Sequence, residues 1–158
     1  MDTVEFRWLT DNGRYSVRNL DVLVNGTPLA ETIAEVERPS AARSGQPDLA
    51  GTYSGIPDYY LRKLTVRDHF LGAPGSDLAC GSEEKTVLLA CECGEPGCWP
   101  LMARVIVAVD TVTWSEFEQP YREAWDYGGF TLTFDRQQYE NALDAVPDHP
   151  SQPETERS

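Results

Sequence analysis

Lysine, histidine and long apolar runs are all scarce in this chain. Lys63 and Lys85 are its only lysines, and His69 and His149 its only histidines, in 158 residues. Acidic residues number 26 against 13 basic ones, for a formal net charge of −13. A surface of that sign repels phosphate backbones and anionic lipid, so neither nucleic acid nor membrane is an expected partner. The same balance favours solubility and a basic protein partner. It is also what the compositional bias of an acidic, salt-adapted proteome produces. The longest apolar stretches, VLLAC and VIVAV, are too short to span a bilayer. The N-terminus, MDTVEFRWLT, lacks the apolar core of a secretory signal. The expected location is the cytoplasm, where thiols stay reduced, and the sequon at Asn25-Gly26-Thr27 then reads as a turn. Catalytic signatures are missing too. No Walker loop, no G-x-S-x-G and no G-x-G-x-x-G occurs, so nothing announces a nucleotide-binding or hydrolase site.

What remains is a chain of single-domain length with 41% hydrophobic residues, enough to bury a core. Two strand-like runs flank Asp11-Asn12-Gly13, a pair suited to a tight hairpin. Thr27 as N-cap and Pro28 at the first helical position predict a helix that buries Leu29, Ile33 and Val36 and ends at Pro39. Residues 40–60 are rich in Gly, Pro and Ser and read as a long loop with at most one short element. A short strand is expected in LRKLTVRDHFLG. TVLLACEC, PLMARVIVAVD, TVTWSEF and FTLTF predict a meander of strands, with Val105, Val107 and Val109 on one face. The last helix carries Asp135 as N-cap, Gln138 at the capping-box position, and Phe134 with Tyr139 as a hydrophobic staple. Tyr139, Ala142, Leu143 and Val146 form its apolar face and Pro147 stops it. The order predicts an α+β fold: a mostly antiparallel sheet, with an N-terminal hairpin followed by one helix, and a C-terminal helix packed on the sheet. Residues 1–146 are expected to form one domain and 147–158 a disordered polar tail.

Three of the four cysteines fall in ACECGEPGCW, residues 90–99. Glu95-Pro96-Gly97-Cys98 reads as a type II turn, with proline and glycine at its two central positions. Cys91 and Cys93 lie two apart on a strand, so both thiols share a face. If Cys93 and Cys98 bracket the hairpin they oppose each other at about 4.5–5.5 Å between Cα atoms, inside the roughly 4.4–6.8 Å that a disulfide accepts. Three readings are open. Cys91, Cys93 and Cys98 could hold a metal, with Cys80 or His69 as fourth ligand and zinc as the metal such donors select. They could act as a redox pair, although Glu92 and Glu95 work against a reactive thiolate. Or they are small buried hydrophobes in a core strand.

His69 reads as a structural histidine in the absence of a neighbouring nucleophile, and His149 lies in the tail. Glu31, Glu35 and Glu37 read as the solvated face of the first helix. The segment WSEFEQPYREAWDYGGF, residues 114–130, is dense in aromatics. Trp114, Phe117 and Phe130 are expected in the core. Tyr121, Arg122, Trp125 and Tyr127 are the candidates for a partner-binding surface, since Trp, Tyr and Arg dominate interface hot spots.

Taken together, VNGTPL, LAGTYSG, HFLG, LLACECGEPGCWPL, VTWSEFEQPYR and WDYGGFTLTFDRQQYENAL resemble a family of small bacterial proteins with no established activity. The resemblance covers most of residues 20–145. Its marks are a CxCGxxGCWPL-like turn and a C-terminal FDRxQYExAL-like helix. It implies a small, soluble, single-domain protein whose cysteine turn and aromatic loop belong together, and it transfers no catalytic residue. Two functions are expected from the sequence. One is a non-enzymatic cytoplasmic module of the immunity or accessory type that binds another protein. The other is a zinc-binding or thiol-redox protein centred on Cys91, Cys93 and Cys98.

Overall fold

The computed structural model describes residues 1–10, 18–61, 65–72, 85–91, 100–120, 122 and 124–147. Alternation of apolar residues builds the first hairpin. Strands β1 (Val4–Thr10) and β2 (Arg18–Val24) pair antiparallel from Val4 opposite Val24 to Thr10 opposite Arg18. Val4, Phe6, Leu20, Val22 and Val24 are buried. The Asp11-Asn12-Gly13 turn lies outside the described residues. On its other edge β2 pairs with two short strands, β3 (Thr27–Pro28) and β5 (Ile56–Pro57). Asn25 and Gly26 both take positive φ, 54° and 81°, as a two-residue hairpin requires. Thr27 and Pro28 are therefore strand residues and not the opening of a helix. Pro28 occupies the N-cap position of α1 (Leu29–Arg43), and no side chain caps it. Nor does α1 end at Pro39. That ring lies on the exposed face, while Ser40 and Ala41, one residue on, are buried and hold the last turn in place.

Residues 44–61 carry more structure than a loop. After a 3-10 turn at Pro47–Leu49 come β4 (Tyr53–Ser54) and β5, with Gly55 between them. β5 belongs to the β2 sheet, whereas β4 opens a second sheet ordered β4, β6 (Thr86–Cys91), β7 (Leu101–Val107), β8 (Thr111–Glu118), β9 (Leu132–Asp135). The chain thus steps between sheets at Gly55. A Cβ there would lie 2.4 Å from the Leu20 carbonyl oxygen, so no other residue fits. The opposite ends of the sheets also meet. Asp2 bridges to Phe134; its N–H donates to the Thr133 carbonyl (2.8 Å), and its Oδ2 accepts the Thr133 N–H (3.0 Å). Strand pairing and the covalent step at Gly55 together make one circuit through both sheets.

The helices close over this circuit. The expected short strand near His69 is instead α2 (Val66–Phe70), because Thr65 caps it through the Asp68 N–H (3.0 Å) and it buries Val66, His69 and Phe70. In α3 (Arg136–Asp144), Asp135 accepts the Gln138 N–H at 3.0 Å, as the sequence predicts. The Gln138 side chain does not return to the cap. Its amide accepts the Val4 N–H (3.1 Å) and donates to the Val4 carbonyl (2.7 Å), joining α3 to β1. Tyr139 is fully buried, donates to the Phe70 carbonyl (2.5 Å) and accepts the Trp114 indole N–H (3.1 Å). Phe134 packs on Tyr139 with ring centroids 5.4 Å apart, the staple pair of the sequence. In β7 the buried residues are Leu101, Met102 and Ala103. Val105, Val107 and Val109 do not form a buried face: the strand ends at Val107, and Val109 is 84% exposed. The fold is α+β with antiparallel sheets. Among the described residues no helix is long and apolar enough to cross a membrane.

The step at Gly55 gives the first prediction. Gly55→Ala should lower the unfolding free energy by about 2–3 kcal/mol, read as a shift in the urea midpoint. An unchanged midpoint would mean that the chain can withdraw from Leu20 at no cost.

Candidate functional site

Topology brings two segments singled out by the sequence to one end of the larger sheet. β6 runs out at Cys91, which pairs with Tyr53. β7 begins at Leu101, and β8 ends at Glu118 opposite Met102. β6 therefore ends, and β7 begins, at the end of the sheet where the aromatic segment leaves β8; residues 92–99 lie outside the described residues.

A bulge in β8 shapes that end. Met102 pairs with Glu118, but Arg104 pairs with Ser115, so β8 carries one extra residue there. Glu116 absorbs it with a φ of 51°. Burial changes parity across it: Val112 and Trp114 face inward before the bulge, Phe117 and Gln119 after it. Glu116 is turned outward, where Arg104 Nε donates to its carboxylate at 2.7 Å. The guanidinium beside Glu116 holds its carboxyl below the usual range.

Behind the bulge lies a buried carboxylate. Glu37 is 1% exposed, not part of a solvated face. The buried positions of α1 are Leu29, Ile33, Glu37, Ser40 and Ala41, so the stripe that begins with Leu29 and Ile33 continues by another step of four onto Glu37. Val36, the expected third member, is half-buried. Both oxygens of Glu37 are occupied. Oε2 accepts the hydroxyls of Tyr53 and Tyr127, each at 2.5 Å, and Oε1 accepts the Gly51 N–H at 2.9 Å. Gly51 takes a φ of 72°, and a Cβ there would lie 2.5 Å from that of Ala34, so glycine is what allows its N–H to reach the carboxylate. Burial pushes the Glu37 carboxyl above its usual pKa of 4.5, outweighing the three donors that pull it down. Burial and the nearby carboxylate push both tyrosines upward, leaving them protonated donors.

Glu37 and Ser40, one turn apart, tie the aromatic segment to α1. Tyr127 reaches Glu37; the Asp126 N–H donates to Ser40 Oγ at 2.9 Å. The segment then folds over Phe117. Tyr127 stacks on it at 6.5 Å and Phe130 tilts against it at 5.2 Å. Between β8 and this segment is a cleft of about 270 Å³, lined by Phe117, Trp125, Tyr127 and Phe130, with Glu116 and Asp126 among its lining residues. Trp114 and Phe117 are buried as expected, and Phe130 is half-buried. Of the surface candidates, Trp125 is buried at 7% exposure, although it is among the residues that line the cleft. Tyr127 and Arg122 are half-buried, and Tyr121 lies outside the described residues.

The possible metal ligands are divided. Cys91 ends β6, while Cys80, Cys93 and Cys98 lie outside the described residues. His69 is buried at 2% exposure, with Nε2 2.8 Å from the Val87 carbonyl, so Nε2 carries the proton. Nδ1 has no hydrogen-bond partner among the described residues. Burial pulls the His69 pKa below 6.5 and keeps the ring neutral. Val87 and Cys91 are four residues apart on β6, about 13 Å along the strand. That spacing does not seat His69 beside Cys91. Among the described residues, no three His, Cys, Asp or Glu side chains converge as a metal site.

No family model, curated protein or solved structure matches this chain.

The raised pKa of Glu37 has a definite sign. The native state holds this proton to higher pH than the unfolded chain, so its contribution to stability is complete below pH 4.5 and is lost as pH rises through the folded value. Denaturation across a pH series should show the wild type losing stability relative to Glu37→Gln as pH climbs past 4.5, then levelling. The opposite slope would show that the three donors hold the anion more strongly than burial opposes it.

Proposed function

We propose that this protein is a non-enzymatic cytoplasmic module of the immunity or accessory type, which binds another protein at the end of the sheet where the aromatic segment leaves β8. One observation carries the reading: the cleft beside Phe117, with Trp125 in its lining and Tyr127 held in place by Glu37. An interface anchor needs aromatic surface at a low ordering cost. Here the anchoring side chains are fixed before any partner arrives, by Glu37 and Ser40 on α1. The acidity of the whole chain favours a basic partner and a fast, salt-sensitive encounter. Asp126 is exposed at the cleft, so reversing its charge tests the surface without opening the core. In affinity capture from the native host, a partner recovered reproducibly by the wild type should be lost with Asp126→Arg. Recovery of no reproducible partner, or equal recovery by the variant, would refute this reading.

A second reading, zinc or thiol chemistry at Cys91, Cys93 and Cys98 with Cys80 completing the set, is favoured by the position of Cys91. It pairs with Tyr53, whose hydroxyl is held by the buried Glu37, so a site there would stand on an ordered strand pair. Elemental analysis of protein purified under reducing conditions without chelator should then find about one zinc per chain, with thiols shielded until chelator is added. Cys91→Ser, Cys93→Ser and Cys98→Ser together should remove it. Four freely titrating thiols and no metal would leave the cysteines as packing residues.

A further inference from the structure

The cleft has two chemistries that converge on one kind of ligand group. Its lining includes Phe117, Tyr127 and Phe130, the last two half-buried, together with Glu116 and Asp126. Aromatic faces carry negative quadrupole potential and attract cations, guanidinium most of all. Carboxylates add charge-assisted hydrogen bonds with the fork geometry that arginine matches. The fold already makes one such contact, since Arg104 pairs with Glu116 through Nε at 2.7 Å. The other carboxylate, Asp126, is exposed, and its Oδ1 accepts the Gly128 N–H at 2.7 Å, which orients the group at the mouth.

We propose that this cleft is the recognition pocket for an arginine or lysine side chain presented by a basic segment of the partner protein. The inference rests on the partner-binding reading above and specifies its chemistry. The cation lies beside Tyr127 and Phe130, the half-buried aromatic residues of the lining, with Asp126 as its counter-charge. The formal charge of −13 steers the basic segment toward the surface, and the cleft selects where one side chain docks. The hydroxyl of Tyr127 is committed to Glu37, so its ring, not its polar tip, is what the ligand meets.

An acidic protein attracts any polycation, so the test turns on position. Hexa-arginine and hexalysine peptides are titrated into the full-length protein at moderate salt, with a neutral Gly-Ser peptide as blank. Amide shifts are followed by NMR. The first resonances to move should be those of residues 116–117 and 125–130. Asp126→Asn, which keeps an acceptor for the Gly128 N–H, and Phe130→Leu, which keeps apolar volume but removes the π face, should each weaken binding about threefold or more. Glu31→Gln, an equal change of charge at an exposed site on α1, should alter it far less. Equal losses in Asp126→Asn and Glu31→Gln, or shifts spread over the acidic surface, would overturn the pocket and leave only general charge attraction. A captured partner that depends on Asp126 while neither peptide docks in the cleft would sink this inference and leave the broader reading standing.

Discussion

One buried carboxylate organises the end of this protein that holds the cleft. Glu37 accepts donors from three separate places in the chain: the backbone at Gly51, the hydroxyl of Tyr53 on β4, and the hydroxyl of Tyr127 in the aromatic segment. A carboxylate placed in an apolar interior is costly, and the cost falls only when every lone-pair direction is used. The three partners are thus positioned by a common demand. The helix that carries Glu37 becomes the reference frame for the β4 entry into the larger sheet and for the wall of the cleft. Ser40, one turn on, reinforces the same alignment through Asp126.

The circuit of strand pairing explains why such a hub is tolerated. At one junction the chain passes from β4 to β5 through Gly55 in contact with Leu20; at the other, Asp2 meets Thr133. Between them the Tyr139–Trp114–Phe70 cluster fills the interior, with the tyrosine hydroxyl satisfied on both sides. Among the described residues, the buried polar groups Glu37, Ser40 and His69 each bond to a residue distant in sequence. The bulge at Glu116 works within the same frame. It allows a single strand to bury Trp114 in the common core and Phe117 under the aromatic segment, on opposite parities.

Where the sequence spoke in periodicity it placed most elements, though not the Val36 stripe position or the Val105–Val109 face. The paired runs of β1 and β2, the strands from Thr86 to Asp135, and α3 with its Asp135 cap and Phe134–Tyr139 staple all follow from alternation and capping chemistry. Where tertiary partners overrode local preference, it misled. Thr27-Pro28 has the chemistry of a helix start but is claimed by β2. Pro39 has the chemistry of a helix stop but faces outward from a helix with packed residues on its other side. The site was half legible. Aromatic density marked residues 114–130, yet which rings were buried depended on a bulge whose one trace is the broken alternation at Glu116. Glu37 looked solvated because it is charged; its i, i+4 relation to Ile33 was the signal that placed it inside. Its tyrosine partners lie 16 and 90 residues away and left no mark in any local window.

The clasp of Gln138 on Val4 has a consequence for how this chain meets others. A strand whose outward N–H and C=O are unpaired is a template on which a second chain can add, and such addition leads from dimers to fibres. On β1 the pair belonging to Val4 is taken by a side-chain amide that copies the donor–acceptor spacing of a neighbouring strand. Just before it, the Asp2 N–H is given to the Thr133 carbonyl, and the Asp2 carboxylate, standing in for a backbone carbonyl, accepts the Thr133 N–H. An amide side chain fills the place of a strand but cannot be extended into one. At Val4 the edge is thus closed to a further strand by one glutamine side chain.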